Sequence, residues 1–287
     1  MSEASLFAKA LQSLQERGLL ETTLRILRCA RSRYIQSFRD PRIWEGLFGK
    51  TVEERFTTIY LKNLWCTQES ASGPGSTFGY TANLRKAIPD LVRQYAIKTV
   101  FDAPCGDFNW MKLVVDEIES LDYVGGDIVL KMINRNIERC ANSRTKFVHF
   151  DIINDQFPDA DVWICRDSLF HLSNAHIVSA LRGFAESKIK YALITTHKNE
   201  TGFQNEDIPT GSFRLIDMFS KPFSLDREVL FRIDDWVPPF PPREMCLWSR
   251  QQIRAALGWD ANDIELSTPS GSRTESPRPS SATTVPS

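Results

Sequence analysis

Three acids stand at the ends of short apolar runs in this chain. Asp102 closes Val100-Phe-Asp102, Asp127 closes Tyr123-Val-Gly-Gly-Asp127, and Asp151 closes Phe147-Val-His-Phe-Asp151. Apolar runs ending in acids, separated by helix-length segments, predict the carboxyl edge of a doubly wound α/β sheet, where nucleosides bind. The loop after the first run, Ala103-Pro-Cys-Gly-Asp-Phe108, has one glycine, Gly106, flanked by Asp102 and Asp107. A dinucleotide loop carries three glycines and faces a pyrophosphate. Two carboxylates at short range repel that anion. They attract a ligand with an ammonium, a sulfonium and no phosphate, which describes S-adenosylmethionine. Asp127, 21 residues past Gly106, is spaced to accept both ribose hydroxyls, and each bond to such a charged acceptor is worth about 1.5–3 kcal/mol. Asp151 is placed for the adenine amino group, with Ile152 and Ile128 packing beside the nucleoside. Any one acid alone is as well read as a solvated strand end; the ordered set carries the cofactor reading.

A second group of reactive side chains follows the fourth apolar run, in Trp163-Ile-Cys-Arg-Asp-Ser-Leu-Phe-His-Leu172. Reacting groups in open α/β sheets lie just past the carboxyl ends of the central strands. Asp167 and His171 are four apart, so a helical turn starting here would face both one way, and a His–carboxylate pair can take the proton of an acceptor hydroxyl. Arg166 either clamps an anionic substrate or neutralises Asp167; His171 is otherwise a buried imidazole on a backbone group. His197, at the end of Thr195-Thr-His197, is a second base candidate, whereas His149 and His176 read as structural. The Glu69–Thr77 stretch, rich in hydroxyls and glycines beside Trp65, reads as a lid over the cofactor, with Glu69 and Ser76 facing substrate. Asn205, Asp207, Gly211 and Arg214 would complete a pocket opposite it, Arg214 holding a substrate carboxylate or phosphate.

The elements that must position these groups follow from periodicity and breakers. Strands are expected at 98–102, 121–127, 146–150, 161–165 and 190–196, with helices at 51–64, 81–95, 109–119, 129–141 and 173–187. Residues 198–225 read as irregular. Residues 227–233 and 244–249 supply two closing strands, joined by Pro238-Pro-Phe-Pro-Pro242, and a last helix is expected at 249–257. Residues 1–40 read as a leucine-spaced helix, basic in its second half. Residues 1–50 are thus a helical extension, 51–265 the catalytic domain, and 266–287 a Ser/Pro-rich tail too poor in apolar surface to order.

Composition sets the outer limits. Of 287 residues, 42% are hydrophobic and 25% charged, and the formal net charge is -1. That is the profile of a soluble globular protein and argues against general nucleic-acid binding, which usually brings a basic excess. The six cysteines show no C-x-x-C pair and no zinc spacing, so no metal is expected and the thiols read as reduced. Neither a membrane span nor a signal peptide is visible; acids in the first helix argue against a mitochondrial leader. A cytoplasmic enzyme is the expectation.

Asp102-Ala-Pro-Cys105 also matches the motif carrying the catalytic cysteine of RNA cytosine-5 methyltransferases. There it follows the fourth strand; here it ends the first, so the Cys105 side chain is assigned a packing role. Taken together, Phe101-Asp-Ala-Pro-Cys-Gly-Asp-Phe-Asn-Trp-Met111, Trp65 with Glu69-Ser-Ala-Ser-Gly-Pro-Gly-Ser76, Cys165-Arg-Asp-Ser-Leu-Phe-His-Leu172 and Asn205-Glu-Asp-Ile-Pro-Thr-Gly211 resemble a mostly bacterial group of class I S-adenosylmethionine-dependent methyltransferases. The resemblance covers about residues 51–250. It implies a Rossmann-like α/β fold with a seven-stranded sheet whose last strand is antiparallel. It also implies a cofactor held by positions matching Asp102, Gly106, Asp127 and Asp151. Cys66 after the loop tryptophan and Arg214-Leu-Ile-Asp-Met218 depart from the group's pattern. Ala103, Cys105, Ile128, Ile152 and Arg166 complete the expected cofactor shell. The expected reaction is methylation of a small-molecule or glycan hydroxyl. Two alternatives are a protein side-chain methyltransferase docking through the N-terminal helix, and a cofactor-binding scaffold without turnover.

Overall fold

The computed structural model describes residues 49–65 and 67–259. The helix expected at 1–40, Cys66 and the Ser/Pro tail lie outside the described residues. The chain forms α1 (Val52–Leu61), α2 (Ala82–Gln94), β1 (Thr99–Asp102), α3 (Met111–Glu117), β2 (Asp122–Asp127), α4 (Leu130–Cys140) and β3 (Thr145–His149). There follow β4 (Val162–Cys165), α5 (Asn174–Glu186), β5 (Tyr191–His197), β6 (Phe231–Asp234), β7 (Arg243–Ser249) and α6 (Arg250–Ala256). Helix ends are fixed by local chemistry. Thr51 and Glu54 form a capping box at α1, Ser249 and Gln252 another at α6, and the Ser173 hydroxyl caps α5, satisfying amides that otherwise lack partners.

The seven strands lie in the order β3-β2-β1-β4-β5-β7-β6. β1 to β5 pair in parallel, and β7 is antiparallel to both β5 and β6. The expected seven-stranded, mostly parallel sheet is therefore present. Alternate residues of the central strands feed opposite faces. Phe101, Trp163 and Ile194 join Ile177, Leu181 and Phe184 of α5 and Ile253 of α6. Val100, Ile164 and Leu193 join Leu84 and Ile88 of α2, Met111 and Val114 of α3, and Ile133 of α4. Strands buried on both faces read as continuous apolar runs for this reason. The Trp163 indole adds a cross-strand tie, its Nε1 donating to the Ala103 carbonyl at 2.8 Å.

Several boundaries differ from the periodicity reading. The helix expected at 109–119 is shorter at both ends, and the strand expected at 227–233 starts only at Phe231. His197 lies within β5, where it pairs with Arg243 in the ladder. No helical turn begins at Asp167. That residue adopts φ +53°, and a 3₁₀ turn, Leu169–His171, follows, so Asp167 and His171 do not share a helical face. No helix among the described residues is long and apolar enough to cross a membrane.

Candidate active site

A cleft of about 1120 Å³, including its open mouth, runs along the carboxyl edge of the parallel strands. The edge divides by strand order. Asp102 and Asp127 end β1 and β2, and Asp151 follows β3; past β4 stand Arg166, Asp167 and His171, and all six line the cleft. Helix α1 crosses it: Glu53 reaches His149 at 3.3 Å, and Arg55 Nη1 donates to the Thr210 carbonyl at 2.8 Å. Phe56 and Tyr60 of that helix face the opening.

The three edge acids differ in environment. Asp127 accepts from the Gly106 amide at 3.1 Å through Oδ2 and from the Val129 amide at 2.9 Å through Oδ1. Each oxygen keeps a lone pair, as a ribose diol requires. Burial lifts its pKa to about 6 against the opposing amide bonds. Asp102 accepts from the Tyr123 hydroxyl at 2.7 Å, and burial lifts it to about 7. Asp151 caps its own turn, accepting from the Ile153 amide at 2.9 Å and the Asn154 side chain at 2.8 Å. Gly106 takes φ +59°, and a side chain there would collide with the Ser72 hydroxyl, so only glycine suits the position. The Asn136 amide holds the Gly106 carbonyl at 2.8 Å. Cys105, Ile128 and Ile152 line the cleft. Burial raises the Cys105 thiol well above its ordinary range, which leaves it unreactive. Ala103 is fully buried in the core beneath the loop.

Asp107 does not face the cleft as its neighbour Asp102 does. Its carboxylate accepts from Ser70 Oγ at 3.0 Å, the Ala71 amide at 2.7 Å and Ser72 Oγ at 3.2 Å. The electrostatic argument for a cation therefore rests on Asp102 and Asp127, and Asp107 staples the Glu69–Thr77 loop to the β1 loop. Glu69 is exposed and bonded within the loop region, its Oε1 accepting from the Phe78 amide at 2.6 Å and Asn109 at 3.1 Å. Glu69 does not line the cleft, whereas Ser72, Gly73, Pro74, Gly75 and Ser76 do.

Past β4, four charges alternate. Arg166 grips Asp235 through Nε and Nη2, each at 2.9 Å, and its Nη2 also donates to the Gly75 carbonyl at 2.8 Å. Arg243 donates to Asp167 Oδ2 at 2.8 Å and lies 3.4 Å from Asp235. Both guanidiniums stack near the Tyr80 ring, at 5.8 and 4.6 Å from its centroid. Burial alone would raise the Asp167 carboxyl, but Arg166 and Arg243 outweigh it and hold the pKa below the ordinary value. Asp167 Oδ1 is buried and accepts no hydrogen bond, a state that costs about 1–3 kcal/mol and, with the positive φ, marks strain of the kind found at ligand sites.

His171 Nδ1 lies 2.7 Å from the Ser212 carbonyl. A carbonyl only accepts, so Nδ1 carries the proton and Nε2 the lone pair. Burial lowers its pKa to about 4, so the ring is neutral near pH 7. His197 and Arg214, expected at the site, are elsewhere. His197 is 2% exposed, lies behind Phe170 and Phe213, and accepts from the Ile216 amide through Nδ1 at 3.2 Å. Arg214 donates to the Leu172 carbonyl at 2.7 Å and to Asn174 at 3.0 Å. Asn205 and Asp207 brace the Asp217 turn and the start of α5, and the Gly211 amide donates to the His171 carbonyl at 2.7 Å. That irregular stretch supports the β4 turn from behind. Asp235, Arg243 and Tyr80 escaped the sequence reading, because nothing in their spacing points to β4. Among the described residues no cluster of three His, Cys, Asp or Glu is arranged to hold a metal.

No protein-family model matches this sequence, and no curated protein sequence matches it. Among solved structures, human N-acetylserotonin methyltransferase in complex with SAM aligns with a TM-score of 0.50 at 13% identity. That alignment covers 71% of this chain and 60% of the human one, so this chain spans less than two thirds of its length. PigF with SAH aligns with a TM-score of 0.48 at 11% identity, over 68% of this chain and 62% of that one. The apo form of the S-adenosylmethionine-dependent methyltransferase SibL aligns with a TM-score of 0.45 at 15% identity, over 68% and 69%. The likeness to the human enzyme is one of fold.

Proposed function

We propose that this chain is an S-adenosylmethionine-dependent methyltransferase that methylates the hydroxyl of a small molecule or glycan. The observation that carries the reading is the order of acids along the edge: Asp102, Asp127 and Asp151 at the carboxyl ends of three adjacent strands of one cleft, with Asp167 and His171 past the next. The residues fit the cofactor. Asp127 has one lone pair left on each oxygen for the ribose hydroxyls, Asp102 is a buried acid suited to a cationic group, and Ile128 and Ile152 offer apolar surface to a base. The resemblance of the motif strings to class I methyltransferases and the shared fold point the same way.

When bound, the cofactor supplies an electrophilic methyl group on a sulfonium. The protein has four tasks. Asp127 and the Gly106 loop fix the nucleoside, and the Ser72–Ser76 loop excludes water above it. The Arg166–Asp235–Arg243 box holds Asp167 ionised and in place. His171, proton on Nδ1, accepts the acceptor's hydroxyl hydrogen at Nε2. A base with a pKa of about 4 takes little proton from a free alcohol, but the hydroxyl becomes strongly acidic as its oxygen gains the methyl, so the proton moves late. Positioning supplies much of the rate, since orienting two bound reactants is worth about 7–11 kcal/mol.

The test is calorimetric titration of S-adenosylmethionine and S-adenosylhomocysteine into the purified protein, with Asp127→Ala alongside. Binding by wild type and its loss in the variant is the expected result. A folded wild-type protein that binds neither compound removes the methyltransferase reading.

A further inference from the structure

We infer that the acceptor is an uncharged aromatic hydroxyl compound stacked on Trp65, and that the cleft disfavours carboxylated or phosphorylated acceptors; this rests on the methyltransferase reading. The sequence had pointed to an anionic acceptor held by Arg166 or Arg214. The structure commits both elsewhere. Arg214 faces the Leu172 carbonyl and Asn174. Among the described residues lining the cleft, Arg166 is the one lysine or arginine, and its Nε and Nη2 are placed on Asp235 and Gly75, with Nη1 3.5 Å from Asp167. Its neighbour Arg243 spans Asp167 and Asp235. Two guanidiniums thus face two carboxylates, and the box offers no net positive charge to an incoming anion.

What the β4 half of the cleft does offer is flat apolar surface. Trp65 faces His171 with ring centroids 6.1 Å apart and planes 36° from parallel. Phe170 packs on His171 at 4.6 Å, and Phe56 and Tyr60 extend the wall from α1. An aromatic acceptor gains area burial and ring contact there, with its hydroxyl beside the neutral His171. An acceptor carboxylate would be stripped of water beside Asp167, where both arginines of the box are already engaged by carboxylates. Trp65 is therefore the specificity-determining residue, and its position is fixed by the lid, since Gly73 packs against the Trp65 side chain.

The experiment uses the full chain saturated with S-adenosylhomocysteine. β-Naphthol, its carboxylated analogue hydroxynaphthoate, and methyl glucoside are titrated calorimetrically into wild type, Trp65→Ala and Trp65→Phe. Naphthol is expected to bind at least about tenfold more tightly than either other probe. Trp65→Ala should weaken naphthol by about tenfold or more, with Trp65→Phe recovering most of it and S-adenosylhomocysteine affinity staying within about twofold throughout. The inference is overturned if hydroxynaphthoate or the glucoside matches naphthol, if naphthol does not bind, or if its affinity ignores Trp65→Ala. Failure of S-adenosylhomocysteine to bind is a different result: it removes the methyltransferase reading, and the acceptor inference with it.

Discussion

Asp102 and Asp127 are held in their uncharged forms to higher pH than ordinary carboxyls, at about 7 and about 6, because the fold buries them. Such groups stabilise the unliganded fold fully below the unfolded value near 3.8, and that contribution is lost as pH rises through 6 to 7. A cationic ligand reverses the preference, since it interacts with the ionised acids. S-adenosylmethionine should therefore bind with release of protons near neutrality, and its affinity should weaken by about tenfold or more between pH 8 and about pH 5.5. Calorimetry across that range, in buffers of different ionisation enthalpy, measures both quantities. A flat profile with no proton release would show that the ligand is not bound by the ionised forms of these acids. The identity of the two acids was legible in the sequence because each ends an apolar run. The opposite role of Asp107 was not: Gly106 at φ +59° turns the chain, and the next carboxylate leaves the cleft for Ser70, Ala71 and Ser72.

That same turn makes the loop from Glu69 to Thr77 an element with its own fastenings. Asp107 receives three donors from it, Asn109 holds the Ser76 carbonyl at 3.0 Å, and Arg166 holds the Gly75 carbonyl. Asp107→Ala removes the first set and leaves the others. Each lost bond is worth about 0.5–1.5 kcal/mol, or more where the acceptor is charged, and the loss falls on the loop rather than the core. Amide exchange at residues 70–77 should accelerate, and cofactor dissociation should quicken, while the thermal midpoint moves little. Hydrogen exchange with mass spectrometry, run beside stopped-flow dissociation, reads both; unchanged protection of the loop would show that Asp107 does not hold it. The strands and helices themselves were readable, since parallel strands buried on both faces are continuous apolar runs flanked by amphipathic helices. The loop's attachment was not, because hydroxyls and glycines indicate a turn without naming the carboxylate 35 residues away that receives them.

At the scale of the whole molecule, the β6–β7 hairpin does more than close the sheet. Asp235 follows β6 and Arg243 opens β7, and together they carry the far edge of the sheet to Arg166 and Asp167 at its centre. The sequence showed two closing strands and a proline-rich connection, but not that the residues flanking that connection would reach β4. Such contacts between distant segments leave no periodic trace. Asp235 is 1% exposed and faces both guanidiniums. Asp235→Ala leaves those two buried charges short of a counter-ion. Removing one partner of a buried pair typically costs about 3–5 kcal/mol, which for a domain near this size lowers the thermal midpoint by about 6–20 °C. The consequence should reach the site as well. With Arg166 released, its hold on Gly75 loosens and the cleft gains an unpaired cation. Asp235→Ala should therefore both melt earlier by calorimetry and, in material that remains folded, bind hydroxynaphthoate more tightly relative to naphthol than wild type does. A variant that melts early yet keeps the wild-type preference would confine the box to stability. A variant that melts as wild type would mean that the two arginines find other partners and that the hairpin does not anchor the site.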